Sequence, residues 1–214
     1  GVRTLANPYL ICTGAQMNQI GTSSANWINK HYKQMDHISL AAYTGSQYNI
    51  IGNGTTQFKY STFRGNAKNI NHFTYNNSAQ SYVAIFGYID TSSVTALGLN
   101  APNIVGGSVT GGIIGRLNSY AYLFNSYVKG GQIRGTTTVG GLLATVYERA
   151  VFSNSYSTAR VTGTTNTIGG LMAHQNSSSL ANSFVNGPVF ANSGATQTTR
   201  TFGTLVAGGF SGIY

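Results

Sequence analysis

Acidic residues are nearly absent from this chain. Three Asp+Glu stand against 12 Lys+Arg, the formal net charge is +9, and charged residues make up 7% of the sequence. An average globular domain is about a quarter charged, so solubility here rests on Asn, Ser, Thr, Gln and Tyr. Glycoside hydrolysis usually requires two facing carboxylates. Because Asp36, Asp90 and Glu148 are far apart in sequence, we expect them not to meet, which disfavours a hydrolase.

Cysteine and long apolar runs are also scarce. The single cysteine, Cys12, excludes an intrachain disulfide. It follows Leu10 and Ile11 in a predicted strand, which favours a buried, unreactive thiol. No run of 18 apolar residues is present, so we expect no membrane insertion. The opening residues do not form a signal peptide, and the chain is interpreted as a mature product or an excised domain.

Motifs for metals, nucleotides and nucleic acids are missing as well. The four histidines have no metal-site spacing, and no cysteine cluster accompanies them. The Gly-Gly pairs lack the Lys-Ser/Thr ending of a phosphate-binding loop. The basic residues are dispersed along the chain rather than clustered. The sequence therefore predicts no metal, no cofactor and no nucleic-acid partner.

What the chain does have is an internal repeat. A Gly-Gly-aliphatic unit begins at Gly111, Gly140 and Gly169, and a degraded copy begins at Gly203 after a longer interval. A second landmark has almost the same period: Asn125-Ser126-Tyr127, Asn154-Ser155-Tyr156 and Asn182-Ser183-Phe184. A unit of about 29 residues cannot bury its own apolar face, so neighbouring copies must stack. Residues 189–200 lie within this longer interval and are interpreted as an insertion.

The apolar runs are short and bounded by Gly, Asn, Ser and Thr, which is typical of strands and turns. We therefore predict an all-β fold: a right-handed parallel β-helix, or β-solenoid, with repeats of about 29 residues. The glycines would permit either positive φ or close backbone approach. One aliphatic per coil would point inward, and the repeated asparagines could form a hydrogen-bonded ladder. Leu142 and Leu171 are the predicted inward residues.

The N-terminal third lacks the repeat. Spacing around Met17 and Ile20 predicts a short helix with Thr13 as N-cap, and 31–40 is predicted to be a strand. A short helix and irregular loops over 1–65 would cap the open solenoid end. Coils would fill 66–214, so that 1–214 forms a single domain.

The repeats resemble the GLUG motif, which recurs in large bacterial surface proteins, including adhesins and IgA-protease-like proteins. The resemblance rests on three units, Gly111-Gly112-Ile113-Ile114-Gly115, Gly140-Gly141-Leu142-Leu143-Ala144 and Gly169-Gly170-Leu171-Met172-Ala173. Upstream, Met35-Asp36-His37-Ile38-Ser39-Leu40 is similar to the family's Asp-Ile-Asp-Leu strand, but Ser39 replaces its second Asp. The resemblance implies a bacterial protein that is extracellular or displayed on the cell surface.

These observations favour binding over catalysis. The resemblance implies an adhesin or fibre-tip domain, and the net charge favours an anionic glycan or protein on a cell surface as partner. The turns after the Gly-Gly strands carry the residue types that contact sugars and proteins. The predicted ligand-binding residues are Arg116, Tyr120, Tyr122, Tyr147, Arg149 and His174. Two alternatives stay open, a rigid structural spacer and a polysaccharide-degrading enzyme, and so does homotrimer formation as part of a fibre.

Overall fold

The predicted all-β solenoid is confirmed in a computed structural model, which describes residues 3–176, 178–191, 201–203 and 206–208. Parallel strands stack into about five coils, with one short helix near the N-terminus. The elements of the first half are β1 (Tyr9–Ile11), α1 (Gly14–Ile20), a 3₁₀ turn (Ser24–Asn26), β2 (His31–Gln34), β3 (Ile38–Ser39), β4 (Phe58–Lys59), β5 (Thr62–Asn71), β6 (Thr74–Asn76), β7 (Phe86–Asp90), β8 (Ser93–Asn100) and β9 (Asn103–Val105).

The strands of the second half repeat the same short pattern. They are β10 (Val109–Thr110), β11 (Ile114–Asn118), β12 (Tyr122–Phe124), β13 (Tyr127–Lys129), β14 (Gln132–Gly135), β15 (Thr138–Gly140), β16 (Leu143–Val146), β17 (Val151–Ser153), β18 (Tyr156–Ser157), β19 (Arg160–Gly163), β20 (Thr167–Gly169), β21 (Met172–Gln175), β22 (Ser179–Ala181), β23 (Phe184–Val185), β24 (Val189–Ala191), β25 (Thr201–Gly203) and β26 (Val206–Gly208).

Each coil passes through four sheets before it returns to the first. Sheet I contains β1, β2, β3, β5, β8, β12, β13, β17, β18, β22 and β23. Sheet II is β6-β9-β14-β19-β24, sheet III is β10-β15-β20-β25, and sheet IV is β4-β7-β11-β16-β21-β26. The N-terminal strands β1 and β2 continue sheet I, so part of the region predicted as a cap already stacks on the solenoid.

The register confirms the repeat. Ile114 pairs with Leu143, and Leu143 pairs with Met172, each 29 residues on. Thr167 pairs with Thr201, an offset of 34 that matches the longer last interval. Because every pairing is parallel, side chains at equivalent positions lie directly above one another, about 4.8 Å apart. The insertion predicted at 189–200 lies largely outside the described residues.

The Gly-Gly corners allow close backbone approach rather than positive φ. A Cβ on Gly140 would lie 1.9 Å from the Leu143 carbonyl oxygen, and one on Gly141 would lie 1.9 Å from the Gly170 carbonyl oxygen. The prediction of one inward aliphatic per coil is wrong. Both members of each pair are buried, for example Leu142 and Leu143. The chain bends at the corner, so consecutive side chains both enter the core.

The hydrogen-bonded ladder is formed by serine, not by the predicted asparagine. The Asn125 side chain is exposed, and its backbone adopts φ of 52°. The next residue, Ser126, donates its hydroxyl to the Phe124 carbonyl and accepts the Leu97 backbone N–H. The Ser126 backbone N–H in turn donates to Ser155 Oγ at 3.1 Å. Asparagine supplies the left-handed turn, and serine links one coil to the next.

The N-terminal helix is confirmed with the predicted cap. Thr13 accepts the Gln16 backbone N–H, and Gln16 closes a capping box. Met17 and Ile20 are buried. Cys12, however, is exposed, so the prediction of a buried thiol is wrong. It follows the end of β1, and its backbone N–H donates to Gln16 Oε1 at 2.7 Å.

The strand predicted at 31–40 is divided into β2 and β3. Gln34 is fully buried, and its Nε2 donates to the Asp36 carbonyl and to the Asn69 carbonyl. Those bonds hold a bend at 35–37 that the alternating pattern does not reveal. No helix within the described ranges is long and apolar enough to cross a membrane.

Candidate functional site

A stack of aromatic and cationic side chains lies on the outer face of sheet IV. Arg116 in β11 is the register partner of Tyr88 in β7 and of Thr145 in β16. Its guanidinium lies over the Tyr88 ring, with 5.0 Å to the ring centroid. The centroid of the Tyr147 ring lies 4.5 Å from the same guanidinium. The positive charge is thus in contact with two aromatic rings, a favourable arrangement for arginine.

The stack continues in both directions. The Tyr147 and His174 rings are 5.2 Å apart, and the Tyr82 and Tyr88 rings stack at 5.6 Å. We call Tyr82, Tyr88, Arg116, Tyr147 and His174 the cation–aromatic stack. Burial lowers the pKa of His174, so its ring is neutral at pH 7. Arg116 therefore carries the charge of the stack.

Left-handed turns follow the strands of sheet IV and project side chains outward. Tyr60, Thr91, Tyr120 and Arg149 have φ of 54°, 44°, 58° and 61°. Non-glycine residues seldom adopt this conformation. Here it forms the corner at which the chain passes from sheet IV to sheet I, and it leaves the side chains of Tyr60, Tyr120 and Arg149 exposed.

These turns border a groove of ≈ 340 Å³. Three exposed tyrosines, Tyr60, Tyr120 and Tyr122, contribute to its walls, and short hydroxyl residues line the rest: Ser61, Thr62, Thr91, Ser92 and Ser93. We call it the tyrosine groove. Aromatic rings combined with hydroxyl groups suit a ligand with apolar ring faces and polar edges.

The spacing of the groove follows from the coil rise. Tyr60 belongs to one coil and Tyr120 to a coil two rungs along, because Lys59 pairs with Asp90 and Asp90 with Asn118. Thr91 occupies the turn between them without an aromatic ring. Two rungs correspond to about 10 Å, so the missing ring leaves room for a flat group between two tyrosine positions.

Cationic side chains accompany the tyrosines. Arg149 Nη1 donates to the Tyr120 hydroxyl at 2.8 Å, and the Arg149 guanidinium lies 5.8 Å from the ring centroid. Lys59 Nζ lies 5.2 Å from the Tyr60 ring centroid. Lys59 is paired with Asp90 at 3.4 Å, so Arg149 supplies the free positive charge at the rim, which favours an anionic or strongly polar ligand.

A polar corner lies beside the groove, and it brings two carboxylates together. Asn118 Nδ2 is 3.4 Å from Asp90 Oδ2 and 3.3 Å from Glu148 Oε2. Ser119 donates to Glu148, and Lys59 pairs with Asp90 at 3.4 Å. The expectation that the carboxylates would not meet is thus wrong for Asp90 and Glu148. Stacking places residues 28 and 30 apart in sequence on adjacent coils.

Burial raises the pKa of Asp90, but hydrogen bonds from Thr91 and Asn118 and the charge of Lys59 outweigh it, so the pKa is lowered. The carboxylate is ionised and fully engaged at neutral pH. A general acid requires the opposite shift. The corner is therefore better suited to holding the turn than to proton transfer.

Asp90→Asn should reduce stability by about 1 kcal/mol at pH 7, because it removes a charged hydrogen-bond acceptor. A carboxylate whose pKa is lowered by folding contributes stability above its unfolded pKa and loses it as the pH falls through the folded value. The difference from wild type in urea unfolding should therefore shrink below about pH 4. Asp36→Asn is the control, since Asp36 is exposed. An equal effect from both variants would contradict the assignment.

A second cavity, of ≈ 530 Å³, lies between α1 and the first strands. Tyr9, Leu10 and Tyr32 are among its lining residues, together with Gln16 and Lys30. It lies at the end of sheet I, where β1 pairs only with β2. None of the predicted ligand-binding residues lines it.

The structure divides the predicted residues into two groups. Arg116, Tyr147 and His174 join the cation–aromatic stack, whereas Tyr120, Tyr122 and Arg149 lie at the tyrosine groove. Sequence analysis missed Tyr60 and Tyr88. Extending the repeat one coil upstream would have aligned Tyr88 with Arg116. No group of three or more His, Cys, Asp or Glu residues that could hold a metal ion occurs in the described part of the chain.

Two solved structures share this fold. One, described as "a putative immunoglobulin A1 protease from Bacteroides ovatus", is 14% identical, covers 96% of this chain and 85% of its own, and has a TM-score of 0.57. The other, described as "IgA1 Protease", is 18% identical with a TM-score of 0.61, and the match covers 92% of this chain but 15% of that one. At these identities the likeness shows the fold alone. No family model and no curated protein matches the chain.

Proposed function

We propose that this chain is a glycan-binding module of a bacterial surface protein, of the adhesin or fibre-tip kind, and that it does not itself catalyse a reaction. The observation that carries the proposal is the tyrosine groove. Tyr60, Tyr120 and Tyr122 are 56%, 52% and 39% exposed, and an exposed cluster of aromatic rings bordered by polar residues is typical of an interaction site. The hydroxyl lining supplies partners for sugar hydroxyls, and the coil spacing leaves room for a ring.

The rigidity of the scaffold supports the same proposal. Recognition is strongest when the binding groups need no ordering. Thr91 Oγ1 lies 2.7 Å from Asp90 Oδ1 and 3.2 Å from the Ser119 carbonyl oxygen, and sharing its one proton between these two acceptors fixes the turn between the tyrosines. Ser61 N–H donates to Ser92 Oγ at 2.9 Å beneath the groove. The groove is thus held by bonds between coils rather than by a mobile loop.

The descriptions of the two similar structures raise protease activity as a second candidate. His72 Nδ1 lies 3.1 Å from Ser39 Oγ, which is the spacing of a base and a nucleophile. Among the described residues, however, no carboxylate hydrogen-bonds to His72, so nothing orients the ring as catalysis would need. The contacts of this pair favour a structural role. A spacer remains the other alternative, and it would leave the groove without a ligand.

Tyr120→Ala should weaken binding to a glycan identified on an array by at least tenfold, because truncating an aromatic anchor typically costs more than 1 kcal/mol. Its effect on the free energy of unfolding should stay within about 0.5 kcal/mol, since the side chain is exposed. Titration calorimetry and urea unfolding measure the two quantities. Phe184→Ala is the matched control, because Phe184 is 55% exposed and lies outside the groove.

The array should be run at low and high salt, since attraction by Arg149 weakens as salt screens it. Equal losses for Tyr120→Ala and Phe184→Ala would place the site elsewhere. A blank array at both salts would move the balance to a protein partner or to the spacer.

A further inference from the structure

We propose that Arg116 is the receptor for a carboxylate on the ligand, so that the glycan bound by this chain is acidic. The inference rests on the proposed glycan binding and adds the chemical class of the sugar. It assigns the anion to the cation–aromatic stack on sheet IV rather than to the rim of the tyrosine groove.

The first argument is that Arg116 has no partner for its charge. Its Nε is buried and forms no hydrogen bond. Across the described ranges, the only ion pair joins Lys59 to Asp90. An arginine that is partly withdrawn from water normally gains hydrogen bonds to a carboxylate or phosphate in return. The described part of the chain supplies no such acceptor to Arg116.

The second argument is that the protein's own carboxylates are held away from it. Asp90 and Glu148 lie near Arg116, because the charges of all three influence the pKa of the Tyr88 phenol. Yet the Asp90 carboxylate accepts hydrogen bonds from Thr91 and Asn118. The Glu148 carboxylate accepts hydrogen bonds from Ser119 and Asn118. Both acids are committed to the polar corner. The cation beside them is left available.

The third argument is geometric. Two rings pack against the guanidinium, at 5.0 and 4.5 Å, and its Nε is buried, so a ligand would approach the end that carries Nη1 and Nη2. That end presents parallel N–H groups matched to the two oxygens of a carboxylate. The rings also hold the plane in place, which lowers the entropy lost on binding. Arg116 is partly exposed, and so are three rings of the stack, Tyr88, Tyr147 and His174.

The position of Arg116 allows the same ligand to reach the groove. Tyr120 follows Arg116 by four residues, so their Cα atoms are at most about 14 Å apart. A short oligosaccharide can span that distance around the corner between sheets IV and I. The charge would then select the acidic sugar, and the tyrosines would bind the ring faces.

The test compares a tetragalacturonate with its fully methyl-esterified form, which keeps the shape of the sugar and removes the charge. Affinities are measured by calorimetry for wild type, Arg116→Gln, Arg116→Lys and Arg134→Gln. Arg134 is the matched control, because it is exposed and bonds only to the Gln132 side chain. Circular dichroism confirms that each variant is folded.

We expect Arg116→Gln to weaken the affinity for tetragalacturonate at least tenfold and to leave the affinity for its methyl ester unchanged. Arg116→Lys should recover only part of the loss, since lysine lacks the planar pair of donors. Arg134→Gln should change either affinity less than threefold. In wild type, the Arg116 Nε–Hε signal in an NMR spectrum should shift as tetragalacturonate is added, a readout that does not depend on any variant folding.

A loss for Arg116→Gln no larger than for Arg134→Gln, or an unmoved Arg116 signal, would overturn this inference. If Tyr120→Ala still weakens both sugars, the proposed function survives without it. If Tyr120→Ala weakens neither sugar, the proposed groove itself is wrong.

Discussion

Leu142→Asp is expected to abolish folding of the domain. Leu142 is fully buried, and its backbone N–H donates to the Leu171 carbonyl at 2.9 Å. It lies in a column with Ile113 and Leu171, both also fully buried. A carboxylate there would be buried in the hydrophobic core, and an unpaired buried charge costs several kcal/mol. Since domains are stable by about 5–15 kcal/mol, the loss removes most of the margin.

Soluble yield and urea unfolding measure this effect. Leu10→Asp is the matched control, because Leu10 is 52% exposed in β1, and it should cost less than about 1 kcal/mol. A Leu142→Asp protein that unfolds at the wild-type urea concentration would mean that the column does not point into the core.

Gly141→Ala should destabilise the domain by about 3 kcal/mol or more. The added Cβ would lie 1.9 Å from the Gly170 carbonyl oxygen and 2.4 Å from Ser157 Oγ. The first contact is with backbone of the next coil, which cannot rotate away, so the two coils must separate. Overpacking of rigid interiors typically costs 1–3 kcal/mol, and a backbone clash lies at the top of that range.

Gly130→Ala separates this clash from the usual cost of replacing glycine. Gly130 has φ of +62° and nothing within 4 Å of the added carbon. Gly130→Ala should lower the free energy of unfolding by only about 1–2 kcal/mol, the cost of placing alanine in the left-handed conformation. If the two variants have the same midpoint in urea, close approach is not the reason for glycine at position 141.

The repeat made the fold predictable. Two landmarks with nearly the same period identify parallel stacking, because a constant offset is what parallel register requires. The interval of 34 before Gly203 matches the offset at which Thr167 pairs with Thr201. The helix could be predicted because its capping signal is local, from Thr13 to Gln16.

Other features depend on geometry that the repeat does not encode. A bend at each Gly-Gly corner buries two aliphatics where alternation predicts one. The ring of Tyr147 packs on Arg116 of the neighbouring coil, a contact that the spacing of the repeat does not reveal. Likewise Asp90 and Glu148 both accept hydrogen bonds from Asn118, although they are two coils and 58 residues apart. Such contacts emerge only when the coils are aligned in space.

The serine ladder ties each coil to both of its neighbours. At this corner the backbone N–H of Ser126 is satisfied by the hydroxyl of Ser155, and that of Ser155 by the hydroxyl of Ser183. Each hydroxyl also donates to a carbonyl of its own coil. Removing a following coil would leave a backbone donor without an acceptor, which is costly. Removing a preceding coil would leave one as well, because the Tyr156 backbone N–H donates to the Ser126 carbonyl at 3.2 Å. Each coil is therefore completed by both of its neighbours, and shortening the stack at either end leaves a donor unsatisfied at this corner.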